Sequence, residues 1–268
     1  MATLQLQTLT IAYDVEGEGP SLVFIHQVAT DRRLWHHQRP FFSPRYRMIT
    51  VDVLGHGDTA WPVAELSIER AAMHVQGLLE SLQTGAVIAI GVSMGAAIAI
   101  RLALNSPALI RGLVLVSPWR QLSGDTRNLV DRLFRSAEAG DLTAHLELFL
   151  RMVLSGTYLR RHATEVESLQ AMAREQNARA VAYAWAACLA CDLTSKLGEI
   201  RVPSLVIAGM NDLFTPPYLV RAVAEALSMV ELEVWEETGH FAFLEDAARF
   251  NRRLEAFIRR CLSPTNAE

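Results

Sequence analysis

The stretch "VIAIGVSMGAAIAI", residues 87–100, carries a single hydroxyl, Ser93, inside an otherwise apolar run and holds it between Gly91 and Gly95. An unbroken apolar run of this kind reads as a strand covered on both faces, joined directly to a buried helix. Taken alone, a serine between glycines is a tight joint that needs small residues. In a strand–turn–helix setting the same G-x-S-x-G spacing also forces a nucleophile into view. The turn is strained, and strand and helix pass so closely that the positions two before and two after the serine must be glycine. A serine hydroxyl attacks poorly near neutral pH unless a base stands within hydrogen-bond reach and a carboxylate orients that base. The remainder of the chain therefore decides between the two readings.

Outward from residues 87–100, strand and helix signals alternate, as in an α/β fold with a largely parallel sheet. Before them, "LQLQTLTIAYDVEG" reads as a hairpin turning around Thr8–Thr10, and "SLVFIH" (21–26) and "YRMITVDV" (46–53) read as strands. A helix from about Ser67 to Leu82 follows. After them come a helix ended by Asn105–Pro107 and a central strand, "LIRGLVLVSP" (109–118). Beyond Pro118 helical spacing dominates for about 80 residues, with helices "TRNLVDRLFRSAEAG", "LTAHLELFLRMVLSG" and "ATEVESLQAMAREQNARAVAYAWAACLA" separated at Gly140 and Gly156. Strands resume with "VPSLVIAG" (202–209) and "VELEVWEE" (230–237), around a helix opened by proline. A long amphipathic helix, "FAFLEDAARFNRRLEAFIRRC", closes the pattern. The division predicted is a core of residues 1–118 and 198–268 interrupted by a helical insertion, 119–197.

The base and the carboxylate are both present, in the order serine, acid, histidine. "LVIAGMNDLFTPP" puts Asp212 three residues past Gly209, and "VWEETGHFAFLED" puts His240 between the last strand and the last helix. All three residues fall on loops at the carboxyl ends of strands, where open α/β sheets place their ligands. Asp125 and Asp192 are rivals for the acid, but neither directly follows a strand; Asp212 can also be read as a turn residue. His26, His36, His37, His56 and His74 compete with His240, with His26 and His56 read as architectural. Glu236, Glu237 and Glu245 flank His240 and read either as surface charge or as carboxylates that bear on it.

Together "FIHQVATDRRLW", "VDVLGHGDT", "IGVSMGAA", "VPSLVIAGMNDLFTP" and "ETGHFAFLED" make the chain resemble the α/β-hydrolase fold enzymes over nearly its whole length. The resemblance implies a mostly parallel eight-stranded sheet flanked by helices, with a helical cap inserted after strand 6 and a Ser93–Asp212–His240 triad. It also implies an oxyanion hole made by the backbone N–H groups of Met94 and Val28. In that family the loop supplying the second donor usually begins His-Gly-x; here it reads His26-Gln27-Val28, so an amide replaces a glycine beside the pocket. Gln27 and the aromatics Trp119, Phe134, Phe149, Tyr183, Trp185 and Phe214 are candidate pocket residues, since caps over clefts supply apolar walls. The segment "VATDRRLW" looks like the corresponding loop of 3-oxoadipate enol-lactonases and related small esterases.

The expected function is a serine hydrolase that cleaves a small carboxylic ester or lactone through an acyl-enzyme. Two alternatives stand beside it. One is a carbon–carbon bond hydrolase acting on ring-cleavage products, with Arg151, Arg174 or Arg179 holding a substrate carboxylate. The other is a small-molecule receptor built on the same scaffold. Relatives that use an aspartate nucleophile are excluded by serine at position 93. No cofactor and no metal are expected: Cys188 and Cys191 have C-x-x-C spacing, but no second ligand pair follows. A net charge of −4 without charge runs argues against nucleic acid as a partner. The N-terminus lacks a basic start with an apolar core, and no apolar run reaches about 18 residues, so no membrane partner and a cytoplasmic location are expected. Either a monomer or a homodimer fits.

Overall fold

The computed structural model describes residues 2–6, 9–59, 66–122, 124–140 and 142–263. Thr8, at the start of the predicted first turn, lies outside them. One sheet holds β1 (Ala2–Leu6), β2 (Leu9–Glu16), β3 (Ser21–Ile25), β4 (Arg47–Val51), β5 (Val87–Val92), β6 (Ile110–Val116), β7 (Ser204–Gly209) and β8 (Val230–Trp235). Their spatial order is β1-β2-β4-β3-β5-β6-β7-β8. β1 pairs with β2, and β2 with β4, antiparallel; the other neighbours are parallel. Every residue of β3, β5 and β7 is buried, which is why these strands read as apolar runs rather than alternating ones. This is the mostly parallel, eight-stranded α/β architecture expected.

The helices are α1 (Arg39–Phe42), α2 (Ile68–Ser81), α3 (Met94–Asn105), α4 (Gly124–Glu138), α5 (Leu142–Val153), α6 (Gly156–Arg161), α7 (Ala163–Arg174), α8 (Ala178–Ala190), α9 (Pro217–Ala224), α10 (Ala242–Glu245) and α11 (Ala247–Leu262). The Ser67 hydroxyl accepts from Arg70 N at the start of α2, as the cap signal there predicts. Between β6 and β7 the chain is helical, α4 to α8, and the two crossings are joined where Gln121 bridges Asp192 and Leu193 N donates to Arg120 O (2.8 Å). Two helical runs are finer-grained than their periodicity predicts. Residues 163–190 break at Glu175–Asn177, where the Asn177 side chain caps α8 by accepting from Ala180 N. The closing helix breaks at Asp246, whose carboxylate accepts from Arg249 N and starts α11 afresh. In both places an Asn or Asp offers the backbone a bond that competes with continuing the helix.

The core joins the two ends of the chain. Trp35 packs on Phe24 (ring centroids 5.2 Å) and on Phe243 (4.6 Å). The buried Gln38 amide donates to Phe243 O and Asn251 Oδ1. Truncating a buried aromatic of this size costs about 3–5 kcal/mol, so these contacts fix α10 and α11 on the sheet. No helix among the described residues is long and apolar enough to cross a membrane.

Candidate active site

Ser93 sits between the last residue of β5 and the first of α3 with φ 55° and ψ −117°, a conformation that non-glycine residues rarely adopt. The surroundings hold it there. Ser93 N donates to Val116 O (2.9 Å), and Ser93 O accepts from Ala96 N and Ala97 N. A Cβ on Gly91 would overlap the Gly95 carbonyl, and one on Gly95 would overlap the Ile25 and His26 carbonyls. Both glycines are thus demanded by backbone approach, and the approach brings α3 against the end of β3.

Asp212 and His240 meet directly: Nδ1 of His240 lies 2.7 Å from Asp212 Oδ2, and both side chains are wholly buried. Asp212 accepts three further bonds, from Phe214 N and Thr215 N on Oδ1 and from the Thr215 hydroxyl on Oδ2 (2.7 Å). A carboxylate in this setting is acceptor-only, so Nδ1 carries the proton and Nε2 is left as a base. Among the described residues, Ser93 included, Nε2 is buried with no hydrogen-bond partner. Ser117, itself at φ 50°, donates its hydroxyl to the His240 carbonyl and its N–H to Ile207 O. The elbow of Ser93, which bonds Val116, therefore stands one residue from the group that anchors the histidine loop.

The acid and histidine loops are also pinned by the end of α5. Leu213 N donates to Met152 O (3.0 Å), and His240 N donates to Val153 O (2.6 Å). Glu245 ties the histidine loop to the residue pair after α5, accepting from Gly239 N on Oε1 and from Ser155 N on Oε2. Burial, with the Asp212 charge adding to it, raises the Glu245 carboxyl above its ordinary range against the pull of those bonds. Gly209 and Gly239 repeat the logic of the serine elbow, since a Cβ on the first would overlap the carbonyl of the second.

On the β3 side, His26 Nδ1 lies 2.7 Å from Gln27 O, and its Nε2 accepts from Val53 N, which fixes the neutral tautomer. Burial pushes His26 down to about 4 and His56 down to about 3. Both rings bond loop backbone, His56 Nδ1 lying 3.1 Å from Leu54 O. The loop they support runs through Gln27, Val28 and Ala29, the last at φ 61°. It is tied to the break between α7 and α8 by Gln176, which donates to Asp31 Oδ2 and accepts from Gly57 N. Met94 and Val28 are both buried; Met94 opens α3, where the first N–H groups have no partner within the helix.

Gln27, Val28, Ala29 and Thr30 line a small, nearly filled cavity of about 10 Å³ with Leu146, Phe149, Leu150, Leu169, Ala173 and Phe241. Of the sequence candidates, Gln27 and Phe149 face it. Phe214 and Trp185 stand behind Phe149, with Phe214 edge-on to His240 at 5.4 Å. Trp119 is buried, whereas Phe134 and Tyr183 are half-buried at the core's margin, and none of the three lines this cavity. Arg151, Arg174 and Arg179 are exposed and do not line it either. Gln27 Oε1 and Trp119 Nε1 are, like His240 Nε2, buried without partners. They follow β3, β6 and β8, parallel strands whose carboxyl ends share one edge of the sheet. A larger concavity of about 950 Å³ is lined by Thr238 and Glu245 among others, and Ser93 lines neither it nor the small cavity.

Sequence reasoning missed Thr215 and the α7 wall. Thr215 was signalled by its place three residues after Asp212, where Asp side chains bond the backbone ahead. Leu169 and Ala173 were signalled by four-residue spacing on one helix face.

The family model for the alpha/beta hydrolase fold matches residues 20–247. The chain is 26% identical over 260 residues to 3-oxoadipate enol-lactonase 2 of Acinetobacter baylyi, covering 96% of each chain. It is 26% identical over 258 residues to the pimeloyl-[acyl-carrier protein] methyl ester esterase of Photobacterium profundum, covering 94% of this chain and all of the relative. The enol-lactonase structure from Burkholderia xenovorans LB400 superposes with TM-score 0.91 at 22% identity, covering 96% of this chain and 100% of the other. With a family model spanning most of its length and a sheet of the matching order, the chain belongs to the alpha/beta hydrolase fold family.

Proposed function

We propose that the protein is a serine hydrolase that cleaves a small carboxylic ester or lactone through an acyl-enzyme. The observation that carries this reading is the buried His240–Asp212 pair, with Nε2 left unpartnered in a fold that presents Ser93 on a strained elbow. In this reading Ser93 Oγ attacks the carbonyl and His240 Nε2 takes its proton. Asp212 stabilises the imidazolium, and Met94 and Val28 N–H groups receive the oxyanion. His240 then protonates the leaving alkoxide, and water, activated by the same nitrogen, releases the acid. Helices α4 to α8 act as a cap, whose Leu146, Phe149 and Leu150 give the acyl group an apolar wall.

A cavity of about 10 Å³ has room for about one water, so a substrate must displace its apolar walls, which favours short acyl chains or compact lactones. The absence of an arginine from its lining favours an ester or lactone over a carboxylate-bearing ring-cleavage product. The test compares wild type with Ser93→Ala on p-nitrophenyl acetate, butyrate and decanoate and on small lactones, alongside intact-mass labelling by a fluorophosphonate. Expected are turnover of the short substrates, poor turnover of decanoate, and one adduct per chain. The alanine variant should lose the adduct and at least about 10³-fold in kcat. Undiminished turnover by Ser93→Ala, or an adduct that persists in it, would overturn the proposal.

A further inference from the structure

At the N-terminal end of α7, on the helix face that further along carries Leu169 and Ala173, two histidines of the core face one carboxylate of that helix. His36 and His37 follow the 3-10 turn Arg32–Trp35, and Glu165 stands in the first turn of α7. His36 Nε2 is 3.0 Å from Glu165 Oε1, and His37 Nε2 is 4.0 Å from Glu165 Oε2. One donor atom from each residue lies within 4.8 Å of both others. We propose that His36, His37 and Glu165 form a binding site for a divalent transition metal of the Zn²⁺ class, clamping α7 to the core.

Donor chemistry selects the ion. Two imidazole nitrogens with one carboxylate suit zinc and its neighbours, whereas calcium and magnesium ask for oxygen alone. Geometry agrees, because tetrahedral zinc with bonds of about 2.1 Å holds its ligand atoms about 3.4 Å apart, between the two separations found here. A simple ion pair would need one histidine. Here the Nε2 atoms of adjacent residues converge on the two oxygens of a single carboxylate, and the rings stand 4.1 Å apart. The side chains are 44%, 41% and 23% exposed, so an ion can enter and a water can complete its shell.

The position gives the site a consequence. Leu169, one turn beyond Glu165 on α7, and Ala173, one turn further, line the apolar cavity. The far end of the helix is already held by Glu175 on Arg33 (2.6 Å) and by Gln176 on Asp31 and Gly57. A metal at Glu165 fixes the near end too, leaving α7 anchored at both. That consequence for substrate rests on the hydrolase reading; the metal site itself does not.

The test uses untagged protein treated with EDTA, then freed of it, and titrated calorimetrically with zinc chloride. Expected are one zinc per chain with micromolar affinity, and a rise in Tm on adding zinc. His36→Gln/His37→Gln and, separately, Glu165→Gln should each bind at least about 10-fold more weakly and lose the rise in Tm. Circular dichroism without metal checks that both variants fold, and the lesions lie on different elements, so one misfolded variant leaves the other decisive. Failure of wild type to bind zinc, or unchanged zinc affinity in a folded variant of either kind, would overturn the site. Ester turnover does not enter the readout, so its absence would count against the hydrolase reading alone.

Discussion

Thr215 couples the acid loop to the histidine through its hydroxyl. Its hydroxyl donates to the oxygen of Asp212 that also faces His240, and it lies 3.0 Å from Nδ1 itself. It therefore helps fix how the carboxylate is presented to the imidazole. Thr215→Val keeps the shape and removes the donor; kcat on p-nitrophenyl acetate should fall about 10-fold with KM little changed, since the lost bond bears on the charged imidazole of the transition state. A rise in KM at constant kcat would show that Thr215 serves packing instead. The contrast with Ser93, Asp212 and His240 explains what sequence can reveal. Each of those three announces itself locally, by glycine spacing, by following a strand, or by preceding a helix. Gln27 was equally legible as a departure from the expected glycine, and its buried, unpartnered Oε1 keeps it at the centre of any account of specificity. Which aromatics face the cavity was not legible. Phe149 and Trp185 belong to different helices of one apolar segment, and only the docking of those helices decides that Phe149 fronts the cavity and Trp185 backs it.

The central strands followed from apolar runs and breakers, because a strand buried on both faces leaves little room for another reading, whereas their order in the sheet is written in no single run. The helices between β6 and β7 followed only in outline. Breaks at Glu175–Asn177 and Asp246 depend on single capping side chains, and the ties that matter most link residues far apart in sequence, such as Gln176 with Asp31. The end of α5 is the clearest case. Its last carbonyls, which no helix can satisfy internally, accept from the acid loop at Leu213 and the histidine loop at His240. Glu245 closes the same seam from the other side. Glu245→Gln leaves only one oxygen to accept, so either Gly239 N–H or Ser155 N–H loses its partner. The expected cost is about 1–2 kcal/mol, seen as a Tm lower by about 2–6 °C. As a positioning residue for His240, Glu245 should also affect kcat more than KM. If Tm falls while kcat and the pH profile of kcat/KM stay as in wild type, Glu245 is only a fastener between α5 and the core.

Three buried histidines set the acid limit of the whole molecule. Burial pushes His26 to about 4, His56 to about 3 and His145 to about 4, from an ordinary 6.5. His145 is held neutral among α4, α5 and α8, its Nδ1 on Leu133 O and its Nε2 receiving Trp185 Nε1 at 3.4 Å. Above pH 6.5 these groups are neutral whether the chain is folded or not, and their contribution to stability is complete. As pH falls toward 4 the unfolded chain takes up protons that the folded chain refuses, so stability is lost across that window. At about pH 5 each histidine forfeits about 2 kcal/mol, and about 6 kcal/mol for the three is comparable with the whole stability of many domains. Asp52 and Glu245, whose carboxyls burial raises, work the other way and offset part of the loss. Asp14, Asp31 and Glu233, lowered mainly by bonds to arginine, add to it only at still lower pH. Thermal unfolding followed by circular dichroism should therefore show Tm steady above about pH 7 and falling steeply from about 6.5 to 4.5. His145→Gln, which preserves a donor and an acceptor but cannot titrate, should make that fall shallower. A Tm that stays flat to about pH 4.5, or a variant with the wild-type slope, would show that these histidines are protonated in the folded protein.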